Sequence, residues 1–194
     1  DGGGENSISA KVEDLKDTGY VTPKEMGQNM TANQIYESGK TIAGELTKIG
    51  INLNLAPVAD LASDQNPSYA MRCLGSDADG VADLLDDFVS GMREGGLSVT
   101  LKTFPGIGNV SADVTESIAE NTDSLMTIRD TNFVPYASGI QAGADCVMVS
   151  NAAYSKLTVK KVPAFMSQDI VTKLLREELG FDGIVMTSPL NDNV

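Results

Sequence analysis

The chain has 194 residues, no histidine, and 14 Lys+Arg against 27 Asp+Glu, for a formal net charge of −13. The length fits one domain, or two small ones, with chain enough for a real core. The charge argues against contact with a nucleic-acid backbone, and the missing imidazole excludes Ser–His and Cys–His nucleophiles and any His-containing zinc site.

In chain order, residues 1–31 read as irregular, opening on the flexible turn Asp1-Gly2-Gly3-Gly4. A helix is predicted from about Thr31, where Ile35, Ile42, Ala43, Leu46 and Ile49 recur at three- and four-residue spacing until Gly50 stops it. Ile51, Leu53, Leu55 and Pro57 alternate with Asn52, Asn54 and Ala56, which predicts a strand from Ile51 to Val58 with Pro57 at its end, where a missing N–H is tolerated. Residues 59–78 read as loop. Val81, Leu84, Leu85, Phe88, Val89 and Met92 predict a helix closed by Gly95-Gly96, and Leu97 to Phe104 the next strand. A long loop with Pro105, Gly106 and Gly108 runs to about Arg129. Phe133, Tyr136, Ala137 and Ile140 mark a helix ending at Gly143, and Asp145 to Ser150 a short apolar strand. Ser167 is a good N-cap for a helix from Gln168 to Leu179, closed by Gly180, and Gly183 to Thr187 is the last strand.

Strand starts at Ile51, Leu97, Asp145 and Gly183 lie 46, 48 and 38 residues apart, with a helix between each pair. Such alternation predicts an α/β fold with a parallel sheet and right-handed crossovers, its functional end at the loops that follow the strands. No Gly-x-Gly-x-x-Gly follows a strand and no Gly-x-x-x-x-Gly-Lys-Ser/Thr loop exists, so no nucleotide cofactor is expected. No apolar run reaches the ~18–20 residues of a membrane span, which predicts a soluble chain. Cys73 and Cys146 could form one disulfide; one buried thiol and one exposed free thiol is the simpler reading.

Several collinear segments resemble glycoside hydrolase family 3, in particular its bacterial β-N-acetylglucosaminidase branch. Ile51-Asn52-Leu53-Asn54-Leu55-Ala56-Pro57-Val58-Ala59-Asp60 is similar to that family's Gly-Ile-Asn-x-Asn-x-Ala-Pro-Val-x-Asp strand. Arg72-Cys73-Leu74-Gly75 resembles its Arg-Ser-Phe-Gly, and Lys102-Thr103-Phe104-Pro105-Gly106-Ile107-Gly108-Asn109 its Lys-His-Phe-Pro-Gly-His-Gly-Asp. Phe133-Val134-Pro135-Tyr136 resembles Leu-x-Pro-Phe, and Ala142-Gly143-Ala144-Asp145-Cys146-Val147-Met148 resembles Ala-Gly-Val-Asp-Ala-Val-Met. The run from Leu174 to Gly183 is nearly letter for letter the one before the family's nucleophile strand. The resemblance covers about residues 33–190, and Asp1-Gly2-Gly3-Gly4 echoes the family's Asp-x-Glu-Gly-Gly.

The resemblance implies a (β/α)₈ barrel and retaining hydrolysis of β-glycosides, which needs a carboxylate nucleophile and an acid/base group. Both are replaced. Ser188, in Thr187-Ser188-Pro189-Leu190, stands where the nucleophilic Asp is expected, and a hydroxyl with no His to activate it is a poor nucleophile. The acid/base Asp-Ser-His becomes Asp113-Val114-Thr115, and the other two motif histidines become Thr103 and Ile107. The sugar-holding positions survive: Arg72, Lys102 and Asp60 match, with Asp1 a further candidate. Two readings of Arg72 and Lys102 compete, donation to sugar hydroxyls and pairing with acidic loop residues. Asp60 and Asp113 also suit loop caps. Asp113, Glu116 and Glu120 offer an alternative carboxylate pair or a Ca²⁺ site; neither is favoured, and no metal or cofactor is expected.

About four βα units are expected where the family barrel has eight, giving a partial barrel over 33–194 behind an irregular segment 1–32, with open sheet edges that pairing with a second copy or another domain could close. The expected function is a carbohydrate-binding or interaction module that has lost its catalytic groups; the alternatives are a β-glycosidase working through non-standard residues, and a structural subunit completing a partner's barrel. A β-linked or peptidoglycan-derived sugar is the expected partner. The acidic, Lys-poor sequence and the absence of a starting Met favour a secreted or extracytoplasmic setting.

Overall fold

The structure, a computed structural model, describes residues 21–110, 118–159 and 161–190. The chain enters through helix α1 (Pro23–Asn29), which lies in the stretch expected to be irregular. Its signal is local: Thr22 caps Glu25, the Glu25 side chain returns to the Thr22 backbone, and Pro23 fills the first helical position. Helix α2 (Ala32–Lys48) starts with a second capping box, Thr31 with Gln34, and buries Ile35, Gly39, Ala43 and Leu46 along one face. That face packs against helix α4 (Ala78–Glu94), which buries Val81, Leu85, Phe88, Val89 and Met92. The two helices approach closely because glycines line the contact: a Cβ on Gly91 would sit 2.1 Å from the Tyr36 carbonyl oxygen, and one on Gly39 2.6 Å from that of Phe88.

The main sheet has four parallel strands in the order β1 (Leu53–Asn54), β2 (Ser98–Phe104), β4 (Cys146–Val149), β6 (Ile184–Thr187). The expected alternation of helix and parallel strand is therefore present, as an arc of a barrel. Register is set by Leu53 opposite Ser98, Leu101 opposite Val147 and Val147 opposite Val185. The inner strands β2 and β4 are buried almost throughout, as expected of a parallel sheet covered on both faces. β6 is not: Ile184 is 62% exposed. β1 is shorter than the Ile51–Val58 predicted, although the flanking Asn52 and Ala56 carbonyls still accept from the Ser98 and Thr100 amides of β2, at 3.0 and 3.2 Å. A separate bridge from Val58 to Lys102 resumes the pairing. The predicted stop positions hold: Gly50, Gly96, Gly143 and Gly180 all adopt positive φ, from 69° to 98°, a conformation open to glycine at little cost.

The long loops after the strands carry structure of their own. Helix α3 (Pro67–Ala70) follows β1. After β2 come strand β3 (Glu120–Asn121) and helix α5 (Leu125–Asp130), capped by Ser124 on the Thr127 amide. Helix α6 (Phe133–Gln141) precedes β4. β3 pairs in parallel with β5 (Ala153–Tyr154), joining the loops that follow β2 and β4. The predicted C-terminal helix forms over Asp169–Glu178 as a π-helix, its end marked by the Leu179 amide on the Leu174 carbonyl. Ser167 Oγ accepts the Ile170 amide at 3.3 Å, the cap expected of it. Cys73 and Cys146 are both free and both buried, so the exposed thiol expected of the pair is absent. No helix among the described residues is long and apolar enough to cross a membrane.

Candidate functional site

Lys102 stands near the C-terminal end of β2 and Ser188 directly after β6, while Asp60 and Arg72 lie on the segment that follows β1. Lys102 is set near the end of β2, opposite Met148 of β4; the register then slips at Thr103, so that Phe104 faces Val149. A bulge of this kind re-aims the side chains beside it. The Lys102 backbone is tied to the segment after β1 on both sides, its N–H donating to the Pro57 carbonyl at 3.2 Å and its carbonyl accepting from the Ala59 amide at 2.7 Å. The Lys102–Thr103 and Phe104–Pro105 peptide bonds are cis.

Asp60 is 0% exposed. Its Oδ1 accepts from the Thr103 amide at 3.1 Å and the Tyr136 hydroxyl at 2.8 Å; its Oδ2 accepts from the Tyr69 hydroxyl at 2.8 Å, the Ile107 amide at 3.1 Å and the Thr103 hydroxyl at 3.2 Å. Burial pushes the Asp60 carboxyl above its ordinary value, opposed by the donors from Tyr69, Ile107, Tyr136 and Thr103. Tyr69 also meets Thr103 Oγ at 2.8 Å, and the Arg72 guanidinium lies over the Tyr69 ring, 5.3 Å from its centroid. Burial, aided by the nearby Arg72 charge and opposed by Asp60, brings the Lys102 ammonium down to about 8. Arg72, Lys102 and Asp60 thus gather around Tyr69 and Thr103, and neither cation forms an ion pair within the described residues.

The loop after β2 is held from several sides. The Gly106 carbonyl accepts from the Tyr154 hydroxyl at 2.9 Å and from Asn121 Nδ2 at 3.4 Å. At Gly108 a Cβ would stand 1.9 Å from the Leu61 carbonyl oxygen, so no side chain fits there.

Ser188 lies across β4 from Lys102. It is buried, and its amide and hydroxyl both reach the Val149 carbonyl, at 3.0 and 3.1 Å. No base touches it among the described residues. Beside it Asn151 donates from Nδ2 to the Pro189 carbonyl at 3.1 Å, while its buried Oδ1 has no donor. Glu120 is ion-paired with Lys161 at 2.7 Å, and no group of three metal-ligating side chains occurs among the described residues. Asp1, Asp113, Thr115 and Glu116 lie outside the described residues.

The family profile described as the glycosyl hydrolase family 3 N-terminal domain matches residues 9–192. The chain belongs to glycosyl hydrolase family 3. Within family 3 it is 34% identical over 155 residues to a β-hexosaminidase of Xylella fastidiosa (strain M23), covering 80% of this chain and 45% of the relative. It is 35% identical over 149 residues to a β-hexosaminidase of Stenotrophomonas maltophilia (strain K279a), covering 77% and 44%. Among solved structures, a family 3 β-N-acetylglucosaminidase from Paenibacillus sp. str. FPU-7 superposes with a TM-score of 0.86 at 31% identity, over 90% of this chain and 34% of that one. A β-N-acetylhexosaminidase from Beutenbergia cavernae DSM 12333 gives 0.81 at 36%, over 89% and 52%. The chain spans a little under half the length of the curated relatives it matches, in keeping with an arc of four barrel strands.

Sequence reasoning did not find Tyr69 and Tyr136. A signal for Tyr136 was present, since it stands where the family 3 motif Leu-x-Pro-Phe has Phe, which places one added hydroxyl in the core.

Proposed function

We propose that this domain binds β-linked N-acetylglucosamine-containing carbohydrate and does not hydrolyse it. The observation that carries the reading is Ser188: at the position matching the family's nucleophile, a buried hydroxyl is spent on the Val149 carbonyl with no base beside it. A retaining mechanism needs a carboxylate there, and a serine hydroxyl needs an adjacent base to react. Holding is supported by Arg72, on the loop after β1, and Lys102, near the end of β2, which offer N–H donors and form no ion pair among the described residues. The names of the relatives supply the sugar class. The test pairs two measurements on the purified chain: titration calorimetry with N,N′-diacetylchitobiose, and turnover of p-nitrophenyl N-acetyl-β-glucosaminide. Binding without turnover is expected; clear turnover abolished by Asp113→Asn overturns the reading.

A second reading, a subunit whose sheet completes a larger barrel, is favoured by β6, where Ile184 is 62% exposed and no strand pairs the outer side among the described residues. Analytical ultracentrifugation separates the two: a monomer with intact sugar binding counts against a second copy closing the barrel.

A further inference from the structure

Both candidate sugar donors are anchored to the same carboxylate. The Thr103 amide that bonds Asp60 Oδ1 belongs to the peptide unit leaving Lys102, and the Tyr69 ring under the Arg72 guanidinium carries the hydroxyl that bonds Asp60 Oδ2. The donors come from three places in the fold: the α3 helix after β1 (Tyr69), the β2 end and its loop (Thr103, Ile107), and α6 (Tyr136). Four of the five come from three positions where the sequence departs from the family 3 motifs. Thr103 and Ile107 stand for His and Tyr136 for Phe; they supply two backbone N–H groups and two hydroxyls, of which the hydroxyls of Thr103 and Tyr136 are what the departures add. The departures therefore meet at one buried point. With no exposure and both oxygens occupied, Asp60 has no face left for a ligand.

We propose that Asp60 is a positioning residue, a buried clasp through which the hydroxyls of Tyr69, Thr103 and Tyr136 fix the separation of Arg72 and Lys102. The proposal rests on the carbohydrate-binding reading above for its ligand. It replaces the expectation of direct contact between Asp60 and sugar. A charged acceptor draws unusually strong bonds from hydroxyl and amide donors, and in a dry site such a network transmits the loss of one member to the rest. Tyr136→Phe keeps the ring that packs edge-on against Phe104, 5.2 Å between centroids, and removes the hydroxyl that bonds Asp60 Oδ1, so the variant isolates the contribution of that bond to binding.

The test uses the whole chain carrying Tyr136→Phe, Thr103→Val and Thr103→Ser, with Leu46→Ala in α2 as a destabilised control away from the site. Two readings are taken under conditions where each variant is fully folded: the dissociation constant for N,N′-diacetylchitobiose, and the titration of Lys102 followed by NMR of ¹³Cε-labelled lysine. Tyr136→Phe and Thr103→Val are expected to weaken binding about tenfold each, with the Lys102 signal displaced, while Thr103→Ser restores both and Leu46→Ala changes neither. Wild-type affinity and an unmoved Lys102 signal in Tyr136→Phe overturn the proposal even if that variant is less stable. If the wild-type chain binds no sugar, the carbohydrate reading fails, and the Lys102 signal alone decides: displaced in both variants, the clasp stands; unmoved, it falls.

Discussion

Lys102 is only 8% exposed and close enough to Arg72 for mutual repulsion, and methionine in its place removes the charge while retaining much of the volume. The ammonium is held at about 8, against 10.5 ordinarily. Below about pH 8 both the folded and the unfolded chain carry the proton, and the folded state bears the cost of burying it. Between about 8 and 10.5 the unfolded chain binds a proton that the folded chain has released, so stability rises with pH across that window. At ~1.36 kcal/mol per pH unit the interval amounts to about 3 kcal/mol as an upper bound. Lys102→Met is therefore expected to be more stable than wild type at neutral pH by up to about 3 kcal/mol, or about 6–12 °C in Tm for a chain of this size. The gap should close toward pH 10.5. Urea denaturation of both proteins at several pH values from neutral to 10.5 measures it. A gap that stays constant with pH, or a variant less stable than wild type at neutral pH, refutes the reasoning. Sites for binding commonly carry this kind of stability deficit.

The same titration predicts that affinity for N,N′-diacetylchitobiose declines as pH rises through about 8, because the ammonium gives up one of its donors; calorimetry across that range checks it, and in Lys102→Met the dependence disappears. Asp60→Asn is expected to lose about 3 kcal/mol or more in urea denaturation. Whichever way its amide turns, the NH₂ faces a fixed backbone donor, Thr103 on one side or Ile107 on the other. Two glycines in the α2–α4 pair should respond oppositely: Gly44→Ala meets nothing within 4 Å and gains about 0.5–1 kcal/mol from helix propensity. Gly91→Ala drives a Cβ to 2.1 Å from the Tyr36 carbonyl oxygen and loses about 2 kcal/mol or more. Thermal melts of both variants decide the sign.

What the sequence made legible was mostly local. Helix α2 and helix α4 followed from apolar spacing and a stopping glycine, and β2, β4 and β6 from short apolar runs, because each signal lies within one element. α1 and α5 were missed although Thr22 and Ser124 cap them, since short helices hold little apolar period to read. The π-helical winding of Asp169–Glu178 leaves no trace in a pattern that fits an α-helix equally well. At the site, the motifs brought Arg72, Lys102 and Asp60 to notice. The way Asp60 is used was not readable, because its donors are 9, 43, 47 and 76 residues away along the chain.

The uneven cover of the four strands has a consequence for how the protein opens. β2 and β4 are dry on both faces, whereas β6 leaves Ile184 in solvent and has one unpaired side among the described residues. Amide hydrogen exchange should therefore be slowest in β2 and β4 and faster in β6, where opening to solvent exposes less new apolar surface. Lys102, within β2, belongs to the part expected to exchange slowly, and Ser188, just after β6, is bound through its amide and hydroxyl to the Val149 carbonyl of β4. Opening that starts at β6 thus has to break the Ser188 bonds to Val149 before it reaches the strand that carries Lys102.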